Sequence, residues 1–108
     1  SHPPIALSGK NYVERGQAIH LFCNTTGPDG FRHSIDWFKD GDKIDHSNYK
    51  HVVITSYNMV EPNVSVSELL INRSNPSDTG TYICRSPSGY IDSTRVTVLF
   101  ADSSNVKR

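Results

Sequence analysis

The chain has 108 residues, enough for one domain with a single modest core. Its 11 basic and 11 acidic residues cancel, which argues against a nucleic-acid partner or an anionic membrane surface, because both require clustered Lys and Arg. The longest apolar runs, HVVI and ELLI, are far too short to cross a bilayer, so direct membrane insertion is not expected.

The chain shows no sustained 3.6-residue apolar period, but short segments of period two recur between turn residues. This pattern predicts an all-β sandwich or barrel. In chain order the predicted strand segments are IALSG, NYVERG, AIHLFCN, SIDWFK, KHVVITSY, SELLI, TYICR and STRVTVLF. The first two form one broken strand, and KHVVITSY, rich in β-branched residues, is predicted to lie at a sheet edge. Asp40 and Gly41 predict a tight hairpin after SIDWFK.

The segment DTGTYIC carries the most specific signal in the chain. By strand parity Gly80, Tyr82 and Cys84 share one face, and Cys23 faces inward with its apolar neighbours. Trp37 follows Cys23 by 14 residues. The combination C…W…L-x-I…D-x-G-x-Y-x-C resembles the immunoglobulin superfamily over essentially the whole chain.

This resemblance implies a two-sheet Greek-key sandwich of the I-set or a related kind. It implies an inter-sheet disulfide between Cys23 and Cys84, packed on Trp37. The immunoglobulin-like domain is expected to cover residues 5–100, with residues 1–4 as a linker and residues 101–108 as a linker or tail.

The resemblance also assigns roles to the residues before Cys84. Tyr82 turns the corner into strand F, and its hydroxyl is expected to bond to upstream backbone. Gly80 permits a close approach of neighbouring atoms, and Asp78 satisfies loop amides or a nearby cation. Variable-type domains usually carry an arginine at the start of strand D that pairs with this aspartate; none lies there in this chain, and Lys50 is the expected substitute.

Three Asn-x-Ser/Thr sequons begin at Asn24, Asn63 and Asn72, whereas Asn75 is followed by proline and does not qualify. Beside a paired-cysteine sandwich, three sequons favour an extracellular location, on the cell surface or secreted. They disfavour the intracellular immunoglobulin domains, which need neither sugar nor disulfide.

No residue pattern predicts a metal, a cofactor or catalysis. The segment DGDKID lacks the ligand series and flanking helices of a calcium loop and is interpreted as a hairpin. No serine lies in a nucleophile elbow, and there is no phosphate loop. The five histidines have no metal-binding spacing; they are His2, His20, His33, His46 and His51.

A protein partner is expected on the sheet formed by strands C, F and G, which are predicted at Ser34 to Lys39, Thr79 to Arg85 and Tyr90 to Phe100. All three sequons fall on or beside the A-B-E-D sheet, and a bulky, hydrated glycan blocks close docking there. The residues predicted to contact the partner are the outward-facing Phe38, Ile44 and Ile83, with Arg85 and Arg95 beside them and Asp36 at the margin. The partner is an identical chain or a different protein. An edge of the same patch is also available to adjacent domains of the same chain.

The favoured function is an extracellular recognition module of a multi-domain cell-surface or secreted protein. The chain is similar to immunoglobulin domains of neuronal adhesion proteins of the Dpr-like and Zwei-Ig-like kinds, which implies cell adhesion or neuronal recognition. Two alternatives stay open. The chain is a ligand-binding module of a growth-factor or cytokine receptor, or a structural spacer domain, because one sandwich serves all three roles.

Overall fold

A computed structural model of the chain describes residues 4–26, 35–59 and 64–100. The sequon residue Asn63, residues 1–3 of the predicted linker 1–4, and the predicted linker or tail at residues 101–108 lie outside the described residues. The strands are β1 (Ile5–Gly9), β2 (Tyr12–Glu14), β3 (Ile19–Thr26), β4 (Asp36–Lys39), β5 (Asp42–Lys43), β6 (Val52–Met59), β7 (Val64–Ile71), β8 (Gly80–Arg85) and β9 (Ile91–Leu99). A single 3₁₀ turn, η1 (Pro76–Asp78), precedes β8.

The strands form two facing sheets, which confirms the predicted all-β sandwich. One sheet has the order β1-β3-β7-β6 and is the A-B-E-D sheet of the family nomenclature. The other has the order β2-β9-β8-β4-β5, that is A′-G-F-C-C′, and its central part is the C-F-G sheet.

The broken first strand connects the two sheets. β1 pairs antiparallel with β3, whereas β2 pairs parallel with β9 in the opposite sheet. The chain crosses between them after Gly9, whose φ is 143° and whose backbone lies so close to β3 that an added Cβ would meet the His20 carbonyl at 2.6 Å. Only glycine combines this conformation with this approach.

The core lies between the sheets and is filled by the inward residues of every long strand. The inward set includes Ile19, Leu21 and Cys23, all fully buried. Cys23 and Cys84 form the predicted disulfide, with an S–S distance of 2.04 Å. Trp37 lies directly opposite Cys84 in the β4–β8 pair and is buried, and its indole N–H donates to Ser67 Oγ at 2.8 Å. The one polar atom of the indole is therefore satisfied inside the core.

Two local predictions are confirmed. Asp40 and Gly41 connect β4 to β5 with φ values of 50° and 90°, the positive pair that a two-residue hairpin turn requires. β6 is the terminal strand of its sheet, as the β-branched segment KHVVITSY predicted.

The prediction that Ile44 is exposed beside Phe38 is wrong. Ile44 is 5% exposed and belongs to the core. Lys43 pairs with Phe38 and shares its outward face, so the next residue points inward. The Ile44 amide donates to the Trp37 carbonyl at 2.9 Å, which fixes this orientation.

Candidate recognition face

The outer surface of the C-F-G sheet is built by consecutive cross-strand pairs. Phe38 lies directly opposite Ile83 on β8 and opposite Lys43 on β5, and Asp36 lies opposite Arg85. We call this outward set, extended onto β9, the C-F-G face; it comprises Asp36, Phe38, Lys43, Ile83, Arg85, Ile91 and Arg95.

Arg85 organises the centre of this face. Its guanidinium lies 4.8 Å from the centroid of the Phe38 ring, and its Nη2 donates to Asp36 Oδ2 at 2.9 Å. Lys43 Nζ lies 3.6 Å from the other oxygen of Asp36. Asp36 thus holds two cations beside a half-buried aromatic ring, leaving one net positive charge in the cluster.

Sequence reasoning had not singled out two exposed apolar residues at this end of the sheet, and one of them, Ile91, extends the cluster. Ile91 on β9 lies directly opposite Arg85 and is 59% exposed, and the adjacent Tyr90 is 53% exposed. Counting back along β9 from the buried Val96 gives Ile91 an outward parity, so the alternation carried this signal. Tyr90 lies in a turn, where no periodicity applies. There the Ser86 hydroxyl accepts from the Tyr90 amide at 3.1 Å.

Arg95 lies on the same face but apart from Arg85. It is opposite Thr81, whereas Arg85 is opposite Ile91, and the Ile83–Ser93 pair lies between the two rows. The structure therefore brings Asp36, Phe38, Ile83 and Arg85 together and leaves Arg95 near the β4–β5 hairpin.

The outer surface of the A-B-E-D sheet carries a different cluster. His20 stacks on Phe22 with ring centroids 4.2 Å apart. His20 Nε2 lies 2.9 Å from Glu68 Oε1, and the Tyr57 hydroxyl donates to Glu68 Oε2 at 2.9 Å. The bonds from His20 and Tyr57 lower the pKa of Glu68, and donation to Glu68 raises the pKa of Tyr57.

The two sequon residues within the described part of the chain are both exposed on this second sheet. Asn24 lies on β3, opposite Ala6 and Val66, and Asn72 follows the last residue of β7. Both side chains are reachable from solvent. Among the described strands, none of the C-F-G face residues belongs to a sequon.

The turn before β8 joins the two sheets at one end of the sandwich. The Tyr82 hydroxyl donates to the Asp78 carbonyl at 2.6 Å, and burial raises the pKa of Tyr82. The buried Asp78 carboxylate accepts from the Asn75 amide at 3.0 Å through Oδ2. Its Oδ1 lies 2.7 Å from His51 Nε2, so the side-chain partner of Asp78 is His51 and not the expected Lys50.

Gly80 gives space to a carboxylate from the turn between β4 and β5. A Cβ at this position would lie 2.6 Å from Asp40 Oδ2. The other oxygen, Asp40 Oδ1, accepts from the Thr81 amide at 2.9 Å, and this backbone bond lowers the pKa of Asp40. The close approach that the sequence motif implied is therefore made by the β4–β5 hairpin.

The described residues contain no cluster of three or more His, Cys, Asp or Glu side chains that could hold a metal ion. In the same part of the chain, no helix is long and apolar enough to cross a membrane.

Comparison with known proteins gives the class and then the family. A two-sheet sandwich with this strand order, disulfide and buried tryptophan is an immunoglobulin-like domain. The family model of the immunoglobulin domain matches residues 2–86, so the chain belongs to that family. Domains of this family are typically binding modules without catalytic activity, in agreement with the sequence-based prediction.

Among solved structures, the chain is similar to one described as "Crystal structure of Dpr2 Ig1-Ig2 in complex with DIP-Theta Ig1-Ig3". The TM-score is 0.71, the sequence identity is 21%, and the match covers 89% of this chain and 49% of that one. The likeness shows the fold, and the chain spans about half the length of the solved chain it matches.

Proposed function

We propose that this chain is an extracellular recognition module that docks a protein partner through the C-F-G face. The observation that carries the proposal is the Arg85 guanidinium, held over Phe38 and bonded to Asp36. Aromatic residues and arginine are enriched in the cores of interfaces and dominate their energetics. Here the arginine is already oriented by its own sheet, so less side-chain entropy is lost on binding.

The surroundings of this cluster suit an interface. Ile91 adds exposed apolar area opposite Arg85, and Ile83 continues it. Lys43 and Arg95 leave a positive rim on the same face. A partner with a carboxylate-bearing edge around an apolar centre would complement this arrangement.

The disulfide and the sequons together support the proposed extracellular location. A disulfide inside a small domain persists in oxidising compartments and is rare in the cytosol. The exposed Asn24 and Asn72, with Asn63, are proposed to carry N-linked glycans. Peptide mass spectrometry of the chain secreted from eukaryotic cells tests this, with each Asn→Gln variant as its control. Unmodified peptides at all three sites would remove the main support for the secretory location.

The finer biology that we propose is cell adhesion or neuronal recognition. The chain shares its fold with Dpr2, which is described as being in a complex with DIP-Theta. On this proposal residues 5–100 form one domain of a multi-domain cell-surface or secreted parent, with residues 1–4 and 101–108 leading to neighbouring domains.

The test presents the chain as a multivalent bead-bound probe to a library of cell-surface ectodomains that includes the chain itself. The affinity of each hit is then measured with Phe38→Asp and with Ile83→Arg. Both changes are expected to weaken binding by about 1–4 kcal/mol, the range for interface anchors. Tyr12→Asp is the matched control, because Tyr12 is exposed at the opposite edge of the same sheet.

Three outcomes decide between this function and its alternatives. If binding survives both changes and is abolished by a change on the A-B-E-D face, the proposed docking face is wrong. A hit that is a soluble growth factor or cytokine would support the receptor module instead. A chain with no partner in the library would support the structural spacer.

A further inference from the structure

The edge strands of the two sheets differ in how well they are protected from pairing with another strand. A strand at a sheet edge presents unpaired backbone groups, and native proteins blunt such edges with charge, proline or very short strands. β5 has two residues, Asp42 and Lys43, both charged. β2 has three residues and includes Glu14. On β1, which has five residues, the Leu7 amide donates to the Asp92 carboxylate at 2.8 Å, so a side chain from the other sheet occupies one group of that edge.

β6 has none of these protections. It contains eight residues, VVITSYNM, and seven of them are exposed. The segment carries no charge and no proline and is rich in β-branched and aromatic residues. It pairs with β7 on one side, and no described strand lies on the other. A long, uncharged, β-prone edge of this kind is a template for adding another strand.

We propose that β6 pairs antiparallel with β6 of a second copy of this chain, joining two A-B-E-D sheets into one continuous eight-stranded sheet. A second copy fits because an antiparallel pair of identical strands has two-fold symmetry, and each neutral side chain meets another neutral side chain. A charged edge would repel its own copy, and β6 has no charge to do so. Because each copy uses its single β6 edge in a two-fold pair, association closes at two chains and does not continue.

Strand geometry restricts the register of this pair to a few choices. Directly opposite residues must point to the same side of the sheet, so their residue numbers must have an even sum. The midpoint of Val52–Met59 lies between Thr55 and Ser56. The two-fold axis therefore passes through Thr55 or Ser56. The register centred on Thr55 places Val53 opposite Tyr57 of the copy, an aromatic–β-branched pair of the kind that stabilises sheets.

The same edge borders a recess between the two sheets. It has a volume of about 240 Å³ and is lined by Ile44, Asp45, His46, Val52 and Ile54. A strand added to β6 would extend the sheet over the mouth of this recess and remove the exposed edge of Ile54 from water. Apolar surface buried in this way favours the association.

Sedimentation of the folded chain over a range of concentrations tests the proposal. The expected mass rises from the 12.0 kDa monomer to twice that value and no further. Thr55→Lys places two like charges at or beside the axis and is expected to keep the chain monomeric. Ser8→Lys adds the same charge at the opposite edge of the same sheet and should leave dimer formation unchanged. A monomer at every concentration, or open-ended aggregates without a dimer, would overturn the proposal.

Cross-linking keeps the test independent of the lysine variant. Both native cysteines form the internal disulfide, so a single added cysteine is the only free thiol. Either Thr55→Cys or Ser56→Cys is expected to give a covalent dimer on mild oxidation, and Ser8→Cys is not. Failure of both central cysteines to cross-link would contradict the pairing. Phe38→Asp should leave this dimer intact, which separates it from docking through the C-F-G face.

Discussion

The two outer sheet faces carry the same arrangement of three side chains, with different chemistry. On each, an aromatic ring lies beneath a basic side chain that a carboxylate holds in place. On the C-F-G face the ring is Phe38, covered by Arg85 and tied to Asp36. On the A-B-E-D face the ring is Phe22, covered by His20, which contacts Glu68.

The two faces differ in the hydrogen-bond donors and apolar surface that remain available to a partner. Each oxygen of Glu68 already has a partner, because Oε1 contacts His20 and Oε2 accepts from Tyr57. The sequon residue Asn24 lies on the same face, two residues from Phe22. Arg85 carries a permanent charge and a planar fork of donors, and it lies next to the exposed Ile91. Similar clusters therefore need not have similar functions. The polar groups of the A-B-E-D cluster bond to one another, whereas the C-F-G cluster has hydrogen-bond donors and apolar surface available to a partner.

Both faces depend on one shared core, so the largest expected effect comes from the Cys23–Cys84 disulfide. Replacing both cysteines with alanine is expected to lower the free energy of unfolding by about 4 kcal/mol, because the closed loop is long. Urea denaturation monitored by Trp37 fluorescence measures the change. Reduction of the native chain should give a similar loss. A loss well under this value would show that the core alone maintains both faces.

The next effect separates the faces by binding. Arg85→Ala is expected to weaken the partner complex by about 2 kcal/mol or more, since it removes the oriented arginine and exposes Phe38. His20→Ala makes the matched change on the A-B-E-D face and should leave affinity unchanged. Surface plasmon resonance with the identified partner gives both values. Equal losses from the two variants would end the distinction between the faces.

A smaller effect is expected where the two sheets meet. His51→Ala leaves the buried Asp78 without its side-chain partner and should lower the free energy of unfolding by about 1 kcal/mol, because a charged hydrogen bond is lost at a partly exposed site. Lys50→Ala is the neighbouring control and should change little. Chemical denaturation at neutral pH decides, and a larger loss for Lys50→Ala would contradict the assignment.

The smallest effect is the acid response of the A-B-E-D cluster. The pKa of Glu68 is lowered in the folded chain by bonds from His20 and Tyr57. A carboxylate whose pKa is lower in the folded chain than in the unfolded chain stabilises the fold at pH values above its unfolded-state pKa. This stability is lost as the pH falls through the folded-state pKa. Tyr57→Phe removes one donor and should move that loss to higher pH. Urea unfolding midpoints of the native chain and of Tyr57→Phe, taken between neutral pH and about pH 2, measure this shift. If the two chains lose stability over the same acid range, the bond from Tyr57 to Glu68 does not contribute.

Much of the fold was predictable because its signals are local or strictly periodic. Alternation placed Cys23, Trp37 and Cys84 inward, and the Asp40-Gly41 pair specified the hairpin. The prediction for Ile44 was wrong because the register of β5 against β4 was not known from the sequence. Lys43 pairs with Phe38 and points outward, so alternation turns Ile44 inward.

The candidate site was less predictable because it depends on contacts between strands distant in sequence. The bond between Arg85 and Asp36 spans 49 positions, and no local pattern indicates it. The same is true of His51 and Asp78, which are 27 positions apart. Parity gave the direction of each side chain, but register between strands decides which of them meet, and register depends on packing of the whole core.

The space under Gly80 links two positions that are 40 residues apart in the chain. Any larger residue at position 80 would displace the Asp40 carboxylate, and the Thr81 amide would lose its acceptor. The obstacle is the end of a short side chain and not backbone, so a second substitution can remove it. Whether a larger residue is tolerated at position 80 therefore depends on which residue occupies position 40. A chain that lost the aspartate first would be free to lose the glycine, whereas the reverse order passes through a less stable intermediate.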